Sequence, residues 1–218
     1  ATTLTPDKVK ELFPRTIPIG EDYGTVIVRL EGESKNEWEV TTLRQDGTYG
    51  DGRRPDNVTF GKEIEADLAR RDFTINAMAI DDDGKIIDLF GGKNDLEKNT
   101  LRAVGEARER ISEDGLRIMR AFRFLDNSGN SIRTMEEDLE NAIRENKEML
   151  KNVSNERIGE EMKRILTSKN SDKILTKMED IGVLKIIFND MSVDLTEINC
   201  TSPLVILAKI LRNNESDK

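Results

Sequence analysis

The stretch "SEDGLRIMRAFRF", from Ser112 to Phe124, decides how the second half of this chain folds. Its apolar residues recur at helical spacing, and arginine stands between them at positions 117, 120 and 123. Buried helices seldom carry three fixed positive charges unless those charges meet partners. The pattern therefore predicts a half-buried helix with Ser112 as its N-cap, acids in its first turn and arginines that face a polar site.

From about residue 94 onward the chain has the composition of helices, with Leu, Glu, Arg, Lys and Met at 3.6 spacing. The predicted helical units span residues 107–129, 135–150, 154–168, 170–188 and 202–214. We expect a helical neck over residues 94–168, which contains the arginine helix, and the start of a helical body over 169–218.

Residues 1–93 differ, because they predict a head of mixed strands and helices. Short helices are expected at 6–12, with Thr5 as N-cap, and at 63–72, and strands at 23–32, 37–44, 73–81 and 85–90. The segment Gln45–Asn57 has almost no apolar residues and predicts a long mobile loop. The fold class is therefore α+β: a partial sheet-and-helix head followed by an all-helical part.

Charge and composition narrow the functional classes. The 218 residues carry a net charge of −9, which disfavours general nucleic-acid binding, although basic residues cluster in "GRRPD", "LARRDF" and "LRIMRAFRF". The absence of histidine removes histidine acid–base chemistry and most zinc sites. A single cysteine, Cys200, excludes an internal disulfide and fits a cytoplasmic location. No apolar run approaches the ~20 residues of a membrane span, so we expect no membrane partner.

Asp114 and Arg117 are candidates for reading a nucleobase, because their spacing of three places them on one face of a helix. A carboxylate accepts from an exocyclic amino group and a guanidinium donates to the adjacent ring nitrogen, so the pair would accept cytosine and adenine. Uracil and guanine present the reverse pattern. Arg120 and Arg123 would meet phosphates or ribose. The alternative is that Glu113 and Asp114 are capping acids and that the arginines form salt bridges with nearby glutamates.

Three other motifs carry weaker candidates. In "IIDLFGG" we expect Asp88 to end a strand and lead into a helix rather than to act in catalysis. Glu39, with Glu37 on the same face of what reads as a central strand, is a metal-ligand candidate, although an exposed sheet face explains it equally well. The motif "RRDFTINAMAI" projects three polar groups from the start of an apolar strand, and an ordinary helix end and strand edge would also explain them: Arg71, Asp72 and Asn76.

Taken together, these motifs resemble those of a known family. "RRDFTINAMA", "DLFGGKNDLEKNTLRAVG", "SEDGLRIMRAFRF" and "ERIGEEMKRIL" follow one another as in class II tRNA nucleotidyltransferases, the CCA-adding enzymes, and "EVTTLR" with "DGRRPD" is similar to their head domain. The resemblance implies a nucleotidyltransferase head, a helical neck and the start of a body. It also implies transfer of CMP and AMP from CTP and ATP to the 3′ end of tRNA. Bacterial poly(A) polymerase, which shares the fold, is the nearest competitor.

The resemblance also implies roles for individual residues. Asp114 and Arg117 match the protein template that selects the incoming base. Glu39 matches the third acidic residue beside the Mg²⁺-binding pair, and Arg53–Asp56 match the loop that the family uses in switching from C to A, which favours CCA or A addition over CC addition. The implied nucleotide contacts are Arg71, Asp72, Asn76, Asp114, Arg117, Arg120 and Arg123.

Two departures from the family pattern matter. The family's Gly-Gly…Arg-Asp turn and Asp-x-Asp strand, which hold the triphosphate and two Mg²⁺ ions, would precede Ala1, and its C-terminal tail is likewise absent. We therefore expect a fragment with little or no catalysis of its own. Gly115 stands where the family usually has Ala or Pro, which lowers helix propensity by up to ~1 kcal/mol. Two non-catalytic alternatives stay open: a helical module that grips RNA phosphates, and a structural fragment with solvated charges.

Overall fold

The structure, a computed structural model, describes residues 1–30, 37–47, 57–196 and 202–212. Strands and helices mix in the first part and helices dominate the second, which confirms the predicted α+β class. The chain divides into two compact units between Arg71 and Asp72. The boundaries predicted at residues 93 and 168 stay predictions. Within the described ranges, none of the helices has the length and apolar character needed to span a membrane.

The first unit is built on a small antiparallel sheet in which β2 lies between β1 and β3, while β4 pairs with β5. Val26 and Val28 alternate along β2 toward one face, where Val9 of α1 covers them. The helix α1 has the predicted bounds, because Pro6 suits its first turn and Thr5 is extended. The elements are α1 (Pro6–Leu12), β1 (Thr16–Ile17), a 3₁₀ turn (Glu21–Tyr23), β2 (Thr25–Arg29), β3 (Glu37–Thr41), β4 (Arg44–Asp46), β5 (Val58–Phe60) and α2 (Ile64–Ala69).

One prediction for this unit is wrong. Gln45, which the sequence places in a mobile loop, lies in β4 and pairs with Thr59 of β5. Among the described residues, β3, which carries Glu39, pairs with β2 at one end of the three-stranded order. Residues 31–36 and 48–56, the latter with the segment Arg53–Asp56, lie outside the described residues.

The second unit consists of helices packed around α5, with short strands at its start. Ile118, Met119 and Phe122 of α5 are fully buried in a single apolar cluster, and α7 and α8 pack against the same helix. The elements are a 3₁₀ turn (Thr74–Asn76), β6 (Met78–Ile80), β7 (Ile86–Asp88), α3 (Gly92–Glu97), β8 (Thr100–Leu101), α4 (Ala107–Glu113), α5 (Leu116–Leu125), β9 (Thr134–Met135), α6 (Glu137–Asn146), a 3₁₀ segment (Lys147–Asn152), α7 (Asn155–Leu166), α8 (Ser171–Ile181), α9 (Val183–Ile187) and α10 (Pro203–Ile210).

The arginine-rich stretch forms two helices, whereas the sequence predicts a single helical unit over residues 107–129. α4 ends before Asp114, whose backbone is extended (φ −147°, ψ 112°). Gly115 then lies against the neighbouring backbone so closely that a Cβ would stand 2.9 Å from the carbonyl oxygen of Met149. The absence of a side chain at Gly115 therefore permits a distant segment to approach the chain directly after the break.

Two other predicted elements are also divided. Residues 73–81 form a 3₁₀ turn before the short strand β6, so Asn76 lies in a turn and not in a strand. The unit predicted over 170–188 is split into α8 and α9 at Gly182, whose φ of +83° ends the first helix.

Candidate functional site

The start of α5 is organised by Asp114. Its Oδ1 accepts the backbone N–H of Leu116 at 2.9 Å, and its Oδ2 lies 3.3 Å from Nη2 of Arg157 on α7. Ser112 is not the N-cap, because it lies inside α4, where its hydroxyl donates to the carbonyl of Glu109 at 2.8 Å. Asp114 therefore has the predicted capping role, and it also joins α5 to α7.

Arg117 is buried against the end of α4, with 7% of the residue exposed. Its Nη1 donates to the carbonyl of Arg110 at 2.7 Å and forms an ion pair with the Glu113 carboxylate. The same carboxylate accepts from Nη1 of Arg110 at 2.9 Å. Glu113 thus closes α4 as a bridge between two arginines and does not lie in the first turn of α5.

Arg120 is held by Asp72, which lies at the start of the second unit. Nε and Nη2 of Arg120 lie 2.6 and 2.5 Å from Oδ2 of Asp72. The other oxygen, Oδ1, accepts from the N–H of Phe73 at 2.9 Å and from Nδ2 of Asn76 at 3.2 Å. The structure therefore brings together three predicted site residues, Asp72, Asn76 and Arg120, in one hydrogen-bonded group.

Arg123 lies one turn further along α5 and stacks on an aromatic ring. Its guanidinium carbon is 4.2 Å from the centroid of Phe124, and that of Arg120 is 5.3 Å from the same centroid. Nε of Arg123 is 2.6 Å from Oε2 of Glu161 on α7. Burial lowers the pKa of Arg123, an effect that Glu161 opposes and that Arg120 and Arg164 reinforce.

Ion pairs between arginines and carboxylates surround α5, although the whole chain is acidic. Each of the four carboxylates named below pairs with at least one arginine, and Arg164 lies near Arg123. Clustered guanidinium groups of this kind can attract an anion. The arginines are Arg110, Arg117, Arg120, Arg123, Arg157 and Arg164, and the carboxylates are Asp72, Glu113, Asp114 and Glu161.

Arg71 and Glu39 belong to the first unit. Nη2 of Arg71 lies 3.1 Å from Oδ2 of the buried Asp67. Glu39 is exposed on β3, where Ile27 is its partner in the neighbouring strand. Glu37, on the same face, forms an ion pair with Arg29.

The fit of a metal ion to these residues is poor. Within the described ranges, no group of three acidic, cysteine or histidine side chains lies close enough together to hold an ion. Glu39 therefore supplies a single candidate carboxylate, and Mg²⁺ binding by the described residues alone is not supported.

Sequence reasoning missed Arg157 and Glu161, the two α7 residues that anchor Asp114 and Arg123. Both lie in "ERIGEEMKRIL", four positions apart and so on one face of the helix. That spacing indicated a shared face, but only the packing of α7 against α5 shows which residues they meet.

Comparison with known proteins agrees with this arrangement. Residues 1–102 match the family described as the poly(A) polymerase head domain, and residues 134–195 match the one described as the probable RNA- and SrmB-binding site of polymerase A. The CCA-adding enzymes of Geobacillus thermodenitrificans and Lactobacillus johnsonii are 45% and 46% identical to this chain over 84% of its length. The chain spans 44% of each of these relatives.

Solved structures give the same picture. The Bacillus stearothermophilus CCA-adding enzyme in complex with CTP superposes with a TM-score of 0.79 at 32% identity, over 98% of this chain and 53% of that one. The Thermotoga maritima CCA-adding enzyme complexed with tRNA gives a TM-score of 0.64 at 26% identity, over 85% and 41%. These matches define a nucleotidyltransferase fold. The chain belongs to the family of tRNA nucleotidyltransferases and poly(A) polymerases.

Proposed function

We propose that the protein carrying this chain transfers CMP and AMP from CTP and ATP to the 3′ end of tRNA. The observation that carries the proposal is the placement of Asp114 directly before α5 and of Arg117, Arg120 and Arg123 on it. The chain that contains them superposes almost entirely on a CTP-bound CCA-adding enzyme.

Base selection is assigned to Asp114 and Arg117. The two Asp114 oxygens each have one hydrogen-bond partner here, whereas a carboxylate accepts about four, so it has capacity for an exocyclic amino group. Arg117 is oriented by Glu113 and would donate to the ring nitrogen beside that amino group. The pair accepts cytosine and adenine and leaves polar groups unpaired against uracil or guanine.

The remaining arginines are assigned to the charged part of the nucleotide. Arg120 and Arg123 are held by Asp72, Glu161 and the Phe124 ring, so their planes are ordered before an anion arrives. Arg71 is the further contact, and Asp72 with Asn76 would lie near the ribose.

Mg²⁺ and a cytoplasmic location complete the proposal. Glu39 would be one carboxylate beside a Mg²⁺ ion, and the chemistry that such an ion would supply is neutralisation of phosphate charge. The single cysteine fits a reducing compartment.

The test is nucleotide incorporation by the native protein that carries this chain. A tRNA without its 3′-terminal CCA is incubated with labelled CTP alone, ATP alone, or both, with Arg108→Ala as a surface control. We expect CMP uptake from CTP alone and AMP uptake once CMP is in place. Salt-sensitive tRNA binding without incorporation would contradict the proposal and favour an RNA-binding module.

Poly(A) polymerase is the second candidate, because residues 1–102 match a head domain described for that enzyme. Its expected behaviour in the same assay is repeated AMP uptake with no CMP uptake. Incorporation from CTP alone therefore separates the two.

A further inference from the structure

Asp67 is the most deeply buried carboxylate of the first unit that the structure describes, with 1% of the residue exposed. It lies on α2 near the point where the helix ends. Its Oδ1 accepts from Nε and Nη2 of Arg70 at 3.1 and 2.7 Å, and its Oδ2 lies 3.1 Å from Nη2 of Arg71. Two consecutive arginines therefore converge on one carboxylate.

Helix geometry explains this convergence. Arg70 and Arg71 follow Asp67 by three and four positions, so both return to the same face at the C-terminal end of α2, where positive charge is favoured. The N–H of Arg44 lies 3.4 Å from the same Oδ1. Burial raises the pKa of Asp67, but the bonds from Arg70 and Arg71 outweigh it and keep the pKa below its usual value.

The guanidinium groups of Arg70 and Arg71 share the Asp67 carboxylate. Asp67 is almost fully enclosed, whereas 37% of the Arg71 side chain is exposed. Arg71 thus presents to solvent a positively charged side chain that Asp67 restrains.

We propose that Asp67 is a positioning residue, which orients Arg71 toward the phosphates of an incoming nucleoside triphosphate. This inference rests on the proposed function, since it takes Arg71 to be a nucleotide contact. Asp67 does not touch the nucleotide itself. Because phosphates are common to CTP and ATP, Asp67 acts equally on both and takes no part in base choice.

The experiment is a double-mutant cycle on Asp67→Asn and Arg71→Gln, measured as KM and kcat for CTP and ATP incorporation into tRNA by the native protein. Asp67→Asn keeps the shape of the side chain and removes its charge. We expect KM for both nucleotides to rise about tenfold with an unchanged CTP to ATP ratio, and little further rise when Arg71→Gln is already present.

Two controls separate positioning from folding. Val26→Ala weakens the core of the same unit and leaves KM unchanged. Glu21→Gln removes the carboxylate that pairs with Lys10 on the surface of the unit, and it also leaves KM unchanged. Asp67→Glu, which keeps the charge but moves the oxygens, serves if Asp67→Asn does not fold, and we expect its KM to rise for both nucleotides without a change in kcat.

The outcomes distinguish failure of the proposed function from failure of the positioning role alone. A native protein that incorporates neither nucleotide overturns the proposed function and this inference together. A native protein that incorporates both, with additive effects of Asp67→Asn and Arg71→Gln, overturns the positioning role alone. If Asp67→Glu is used in place of Asp67→Asn, a KM equal to that of the native protein also overturns the positioning role. Additive effects of Asp67→Glu and Arg71→Gln on KM do so as well.

Discussion

The guanidinium of Arg120 forms an ion pair with the carboxylate of Asp72, which lies 48 positions earlier in the chain, with N–O distances of 2.5 and 2.6 Å. Asp72 is 7% exposed and Arg120 about a third exposed on their side chains. The pair therefore ties the first residue of the second unit to the middle of α5. Asp72 is thus the partner of one of the three arginines on α5, whose other residues are apolar.

Removing the charge of Asp72 is expected to lower the stability of the second unit. Asp72→Asn leaves the Arg120 guanidinium without its anionic partner, which should lower the free energy of unfolding by about 1–3 kcal/mol. Urea unfolding followed by circular dichroism measures the change. The matched control is Glu160→Gln on the exposed face of α7, expected to stay within about 0.5 kcal/mol of the native protein. Equal effects of the two variants would contradict the structural role of the pair.

Two glycines of the helical unit should respond in opposite ways to alanine. At Gly115 the added Cβ meets the Met149 carbonyl at 2.9 Å, so Gly115→Ala is expected to destabilise the protein by about 1–3 kcal/mol. At Gly159, in α7, nothing lies within 4 Å, so Gly159→Ala should stabilise it by about 0.5–1 kcal/mol through helix propensity. Thermal unfolding measures both, and a stabilising Gly115→Ala would contradict a steric role for the Met149 carbonyl.

Asp88 should make the start of α3 sensitive to acid. As predicted, it ends β7, and its two oxygens accept the N–H groups of Gly92 and Lys93 at 2.8 and 2.9 Å. Burial raises the pKa of Asp88, but these backbone bonds outweigh it and hold the pKa below its ordinary value. The stabilisation is therefore complete above the unfolded pKa of about 3.9 and is lost as pH falls through the lower folded value.

The corresponding variant is Asp88→Ala, which should cost about 1 kcal/mol at neutral pH, with a difference from the native protein that shrinks on acidification below pH ~4. Urea midpoints between neutral and acid pH measure it. Asp82→Ala, on the exposed turn between β6 and β7, provides the control and should show no such trend. A pH-independent cost at Asp88 would rule out the charged cap.

Base choice should depend on Asp114 and Arg117. Asp114→Ala and Arg117→Ala are each expected to relax the rejection of UTP and GTP by about 10–100-fold while changing the KM for CTP and ATP much less. Single-nucleotide incorporation assays measure this ratio in the native protein that carries the chain. Arg108→Ala, whose side chain is 77% exposed, should keep native selectivity. Unchanged selectivity in both site variants would remove the template from the proposal.

Much of the candidate site was accessible from sequence because its residues lie in short, dense motifs. The spacing of Arg117, Arg120 and Arg123 indicated one helix, and the structure places all three on α5. The sequence indicated Asp114 as a site residue but placed it within the helix, whereas it precedes α5 in an extended conformation. The error arose because the apolar 3.6 periodicity continues on both sides of Asp114 and Gly115, two residues of low helix propensity, and so did not reveal the break.

The sequence by itself determined the α+β class, the bounds of α1 and the location of the arginines on a buried helix, because these follow from composition, proline and 3.6 periodicity over a few neighbouring residues. Only the tertiary structure decided which carboxylate meets which arginine: Asp72 with Arg120, Asp114 with Arg157, and Glu161 with Arg123. Such pairs form between segments far apart in the chain. Their strength depends on burial and on distances of a few ångströms, which no local pattern specifies.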